Sequence, residues 1–250
     1  MDLVQIMKIL AIGAHPDDVE FLCAGTLAIY AAQGHEIFIA IATNGNVGSP
    51  TLGKNEISKI RKKESLEACN LINAKLIWMN FDDEWLFDNK ETRLVFIDAI
   101  REAQPDLMFI HNKFDYHPDH RNAGKVVVDA SYMVIVPNVC PDTPPLAKNP
   151  LFLYMEDRFD KPYPHQPDIV VAIDKAIELK IDGLHAHTSQ MYEWLPWTRG
   201  GDASVAKIPT SDKERREWLS TRVKNRSSNM NSKKRTSLVK WYGKDVADKV

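Results

Sequence analysis

The chain has 250 residues, 44% of them hydrophobic and 26% charged, with a formal net charge of −2. That length can bury a core able to sustain one soluble domain, and so balanced a charge excludes a protein built mainly to bind nucleic acid. Three scattered cysteines, Cys23, Cys69 and Cys140, form no Cys-x-x-Cys pair, which excludes a disulfide framework or a zinc ribbon and makes reduced cytosol the expected compartment.

The first predicted strand is the apolar run 6–13. It is too short to cross a bilayer and leads straight into His15-Pro16-Asp17-Asp18 without a small-residue cleavage site, so it reads as a strand and not as a signal peptide. No other segment is apolar and long enough to span a membrane. Helices are predicted over 20–33, 56–70 and 91–103, and strands over 36–42, 76–79 and 107–110. A further helix begins near Asp119. Residues 137–150 hold five prolines and read as an irregular loop beside the site, either a lid or a plain connection. A strand over 168–173 and a helix from Asp174 towards His187 complete the core. Residues 211–250 carry a local charge of +7, read as a solvated helical surface with 224–235 as a loop.

Alternating strands and helices imply a single doubly wound α/β domain, Rossmann-like, with a mostly parallel sheet. In the usual order 3-2-1-4, strands one and four are neighbours where the winding reverses. The tetrapeptides His15-Pro16-Asp17-Asp18 and His117-Pro118-Asp119-His120 then open from their carboxyl ends into one crevice.

Imidazole and carboxylate groups in this mixture suit a divalent metal such as zinc and leave carboxylates over as proton acceptors, which is the equipment of metal-assisted hydrolysis. Pro16 restricts His15 to an extended conformation and turns the chain off the strand. His15 and Asp18, three apart, can converge on one ion while Asp17 points elsewhere. A carboxylate that merely caps a helix would explain one Asp but neither the His nor the second Asp. In the second tetrapeptide His117 and His120 are also three apart, so that one can ligate while the other faces substrate.

At these residues the chain resembles the LmbE-like, or PIG-L, family of zinc-dependent N-deacetylases. The motifs Ala-His-Pro-Asp-Asp and His-Pro-Asp-His match 14–18 and 117–120, and the likeness continues through Thr43-Asn44-Gly45, Arg61 with Glu64, and His187-x-Ser189-Gln190. It makes 1–190 the deacetylase core and leaves 191–250 as a basic, helical C-terminal extension packed on the same domain. The resemblance implies His15, Asp18 and His120 as ligands of zinc or another divalent metal, and Asp17 as general base. His117 would stabilise the oxyanion or protonate the leaving amine, with Asp119 orienting it. It further implies a GlcNAc-like amide as substrate, so the expected partner is a small amino-sugar conjugate, with no nucleic acid and with a homo-oligomer as an option. Arg61 is a candidate for sugar hydroxyls or an anionic aglycone, against a surface arginine paired with Glu64 or Glu67. Asp83 resembles the family acid that binds sugar hydroxyls, with Asp82 and Glu84 beside it. Trp194 and Trp197 are candidates for stacking on a sugar or for filling a core. His35, His111, His165 and His185 read as structural or exposed, and His187 is brought near the site by the resemblance alone.

Two readings from other classes compete. Residues 48–55 fall one short of a phosphate-cradling P-loop, with 169–174 as an apolar strand ending in Asp, which would make an ATPase or kinase. Asn55 stands where Ser or Thr should be, and Gly48 lies several residues past the strand end. A non-catalytic carbohydrate-binding protein is the other; the presence of Asp17 and His117 beside the ligand set speaks against it.

Overall fold

The computed structural model describes residues 5–156, 162 and 167–248. Five strands, β1 (Lys8–Gly13), β2 (Glu36–Thr43), β3 (Lys75–Phe81), β4 (Leu107–Ile110) and β5 (Leu151–Tyr154), form one parallel sheet in the order β3-β2-β1-β4-β5. The doubly wound α/β fold and the 3-2-1-4 order are as the sequence predicts. Alternation along the central strands supplies both cores. Leu10, Ile12, Phe38, Ala40, Met108 and Ile110 face one side, where they meet helices α4 (Lys90–Ala103) and α5 (Pro118–Ala130) through Phe96, Ile97, Val126 and Val127. Ile9, Ala11, Ile37, Ile39, Leu107 and Phe109 face the other, against Val19, Leu27 and Cys69 of α1 (Asp18–Leu22), α2 (Ala24–Ala32) and α3 (Lys54–Asn70). Strands covered on both faces carry continuous apolar runs, and β1, β2 and β4 do. Among the described residues no helix is long and apolar enough to cross a membrane.

Four features depart from the sequence reading. The helix expected over 20–33 starts earlier and breaks at Cys23 into α1 and α2. β5 is an added strand, extending the sheet beyond β4. The strand expected over 168–173 is absent because side chains take its backbone groups. The Tyr242 hydroxyl accepts from the Ala172 N–H and donates to the Val170 carbonyl, and the Trp241 indole donates to the Asp168 carbonyl. The loop expected over 224–235 is instead the middle of α9 (Asp212–Tyr242), which continues because polarity alone does not end a helix and this run has no Gly or Pro. Ser211 caps that helix by accepting from the Glu214 N–H. Its basic charge is matched locally: Arg216 pairs with Glu178 and Asp182, and Lys224 with Glu178, all on α6 (Ile177–Ala186). Leu219 and Val223 of α9 pack on Ile181 and Leu184 of α6, so the C-terminal segment shares a core with the sheet domain's last helix.

Residues 137–150 do form an irregular connection, and Arg101 organises its first part. This arginine is 1% exposed and donates to the carbonyls of Met133, Val134, Val136, Val139, Cys140 and Thr143. Arg101→Met would strand these acceptors, at a cost on the order of 3 kcal/mol. A melting experiment should show Tm falling by roughly 6–12 °C; an unchanged Tm would mean that the connection holds itself.

Candidate active site

The two His-containing tetrapeptides meet at the carboxyl ends of β1 and β4. After Gly13 the chain turns sharply, and Asp17 takes a left-handed conformation, φ 100°. Such a backbone is uncommon for a residue with a Cβ and clusters at functional sites. The turn sends His15 and Asp18 to one side. Asp18 is fixed by accepting the main-chain N–H of His15, 2.7 Å away. On the other strand, Pro118 opens α5, and His117 caps that helix with Nδ1 accepting from the Asp119 N–H at 3.2 Å. Gly124 lets α5 lie against the end of β4: a Cβ there would stand 2.4 Å from the His111 carbonyl oxygen. His120 is thereby brought to His15.

Ligand atoms of three residues converge. His15 Nδ1 and His120 Nε2 lie 3.1 Å apart, His15 Nδ1 and Asp18 Oδ2 3.4 Å, and His120 Nε2 and Asp18 Oδ1 3.3 Å. Tetrahedral zinc with bonds of about 2.0–2.1 Å keeps its donors roughly 3.3–3.4 Å apart, and the three side chains stand near that spacing, with His15 and His120 each meeting a different oxygen of Asp18. The remaining nitrogens are backed by carboxylates. His120 Nδ1 faces Asp115 Oδ2 at 3.1 Å, and His15 Nε2 faces Asp83 Oδ1 at 3.0 Å and Asp119 Oδ2 at 3.4 Å. Carboxylates behind ligating histidines fix ring orientation and tautomer. Among the described residues, the trios whose single ligand atoms all lie within 4.8 Å of one another are His15 with His117 and His120, Asp18 with His111 and His120, and His15 with Asp83 and Asp119, each sharing members with this set.

Asp17 is buried beside the triangle, with its carboxylate 3.6 Å from Arg61 Nη2. Burial pushes its carboxyl up to about 7, against the pull of the Arg61 guanidinium. His117 has its proton affinity lowered by burial and by the neighbouring His15 and His120 rings. Because its Nδ1 accepts a main-chain N–H, the neutral ring carries its proton on Nε2, which faces Glu84 Oε1 at 3.4 Å. Asp119 engages His117 through that main-chain N–H only. Its carboxylate accepts from the N–H groups of Glu84 and Leu86 and reaches His15, a different task from the expected orientation of His117.

Arg61 is neither a surface residue nor paired with Glu64 or Glu67. It is 3% exposed, donates to the Pro16 carbonyl, and is roofed by Gly45 and Gly48, so the guanidinium holds the Asp17 turn. Gly45 has φ +65°, and a Cβ there would overlap Arg61. Glu64 instead accepts from the Ser189 N–H and hydroxyl, Gln190 donates to the Gly48 carbonyl, and His187 lies 3.3 Å from Glu20, all buried. His187 is therefore fully buried against Glu20, not open to substrate. Trp194 and Trp197 stack on each other, with centroids 5.5 Å apart. His111 is buried, accepts from the Ala14 N–H and stacks on His120 at 4.3 Å; His35 accepts from Met7 and His185 contacts Tyr192. His165 lies outside the described residues. The P-loop reading fails on the fold: Gly48 packs on Arg61 and Gln190 and lies five residues past the end of β2, and no strand forms at 169–174 to accompany the segment.

Sequence reasoning did not single out Asp115 or the contact of Glu84 with His117. Asp115 has a faint signal, an acid five residues before a candidate ligand on the same loop. The contact of Glu84 with His117 has none, since it joins two loops that meet only in the folded chain.

The family PIG-L, described as GlcNAc-PI de-N-acetylase, matches residues 10–131. A diacetylchitobiose deacetylase from Thermococcus kodakarensis is 25% identical over 78% of this chain and 76% of its own. A probable N-acetyl-alpha-D-glucosaminyl L-malate deacetylase 2 from Bacillus cereus is 30% identical over 84% and 93%. The solved structure of N,N'-diacetylchitobiose deacetylase from Pyrococcus horikoshii superposes with a TM-score of 0.66 at 28% identity, over 74% of this chain and 70% of that one.

Proposed function

The chain belongs to the PIG-L, or LmbE-like, family of deacetylases, and from that membership we propose that it is a divalent-metal hydrolase that removes acetate from an N-acetylated, GlcNAc-like amino-sugar conjugate. The observation that carries this reading is the donor triangle of His15, Asp18 and His120, with a buried carboxylate of raised proton affinity beside it. These three residues would hold the ion, zinc being the metal that suits two imidazoles and a carboxylate. When bound, the ion supplies Lewis acidity that polarises the amide carbonyl and acidifies water.

The remaining work falls to side chains. Asp17 accepts a proton at its carboxylate as water adds to the amide carbon, and a proton affinity near neutrality suits it to receive and to return that proton. Arg61 keeps the Asp17 turn in place through the Pro16 carbonyl. His117 donates from Nε2 to the oxygen that gains negative charge or to the departing nitrogen, its ring set by the Asp119 N–H. Asp83 and Asp119 hold His15, and Asp115 holds His120. Asp83 also lies close enough to the centre to meet a sugar hydroxyl. The reaction belongs in the cytosol, where the thiols of Cys23, Cys69 and Cys140, all free in the fold, stay reduced.

Incubating the zinc-loaded protein with a panel of N-acetylated amino-sugars tests the proposal. Acetate and primary amine should appear in equal amounts from at least one conjugate. Absence of acetate from every member of the panel would refute it.

A further inference from the structure

We infer that the outer side of the turn after β2 is a second binding site, for a small phosphorylated polyol such as a sugar phosphate. It is separate from the reaction centre and independent of the deacetylase reading.

A cavity of about 480 Å³ opens between the first turns of α3 and the ends of β2 and β3, a size within the range of small-molecule sites. Its lining is polar throughout. On the strand side the wall is satisfied from within. Asn46 donates to Asp82 Oδ1 at 2.8 Å, Asn44 donates to the same oxygen at 3.5 Å, and Asn44 Oδ1 accepts the Asn46 N–H. Gly45, between the two asparagines, closes on Arg61 instead. This turn also divides the cavity from the reaction centre. Asn46 Oδ1 accepts the Asp83 N–H at 3.3 Å, and Asp83 faces His15 while Asp82 lines the cavity.

The helix side is unspent. Lys54, Asn55, Ser58 and Lys59 fall at one-turn spacing and line the cavity, whereas the buried stripe of α3 runs through Ile57, Arg61 and Glu64. Among the described residues none of these four cavity side chains has a hydrogen-bond or ion-pair partner, and Asp82 has no cation beside it although both lysines share its cavity. Opposite charges that line one space without closing on each other leave room for a ligand between them. Lys54 and Asn55, which end the segment that fails as a P-loop, find a use here.

The chemistry of the two walls selects the occupant. A pair of ammonium groups takes a phosphate as point charges. The second oxygen of Asp82 repels a phosphate and accepts hydroxyls, and the Asn55 amide and Ser58 hydroxyl bond hydroxyls as well. The ligand therefore sets its phosphate against α3 and its hydroxyls towards Asp82. A lining without aromatic or aliphatic side chains gives a nucleobase or an acyl chain nothing to pack on.

Calorimetry on the zinc-loaded protein with glucose 6-phosphate, inorganic phosphate, glucose and ATP tests the site. None of these carries an acetamide, so the measurement reads binding whether or not the protein is a deacetylase. Glucose 6-phosphate should bind about tenfold more tightly than phosphate, and more tightly than glucose or ATP. Lys54→Ala and Lys59→Ala should each weaken glucose 6-phosphate about tenfold. Both lysines are exposed, and unchanged melting curves would show that the variants keep the fold. Affinity that neither variant moves would place the ligand at the metal centre and overturn the site. Equal affinity for phosphate and glucose 6-phosphate, tighter binding of ATP, or no binding of glucose 6-phosphate would overturn it as well.

Discussion

Asp17→Asn is expected to keep its metal and to lose turnover by a factor on the order of 10² to 10⁴, the usual worth of a general base. The substitution is chosen for its backbone as much as for its charge. Asp17 sits at φ 100°, and asparagine is among the few residues that tolerate a left-handed conformation, so the turn should survive. Arg61 still has the Pro16 carbonyl to hold. What disappears is an acceptor whose proton affinity burial has raised towards neutrality. Steady-state kinetics beside metal analysis separates the outcomes. Near wild-type turnover in metal-replete enzyme would remove Asp17 from the role of base, whereas loss of metal would make it a ligand.

His15→Ala, Asp18→Ala and His120→Ala should each lose the bound ion and with it turnover, because each removes one corner of a triangle that has only three. Elemental analysis of the purified variants reads this directly. His185→Ala is the control, since its ring is committed to the Tyr192 hydroxyl away from the centre. Full metal content in all three variants would refute the ligand set. Loss of the ion only after changes at His185 and His187 would point to a different centre.

Much of this geometry could be read from the sequence, for physical reasons that also mark where reading stops. Strands buried on both faces write themselves as apolar runs, so β1, β2 and β4 were plain and their order followed from right-handed crossovers. Two tetrapeptides at the ends of adjacent strands must then face one crevice. Residues 168–173 carry the same apolar signature, yet Tyr242 and Trp241, some seventy residues on, satisfy their backbone groups and no ladder forms. The polar middle of α9 looked like a loop because its support comes from packing on α6 at one end and ion pairs with other elements, such as Lys234 with Glu156, along its length. The carbonyls around Arg61 and Arg101 have no mark in the sequence, since a lone arginine gives no sign of the acceptors that fold around it. The partners behind the histidines, Asp115 and Asp83 from loops and Asp119 from the first turn of α5, converge only in the tertiary fold.

The most direct measurement strips the purified protein with a chelator, restores zinc in steps, and follows acetate release from the panel of N-acetylated amino-sugars at each step. The account predicts no turnover in the stripped protein and full recovery at one ion per chain. Undiminished acetate release from metal-free protein would contradict it, as would a fully loaded protein that releases none.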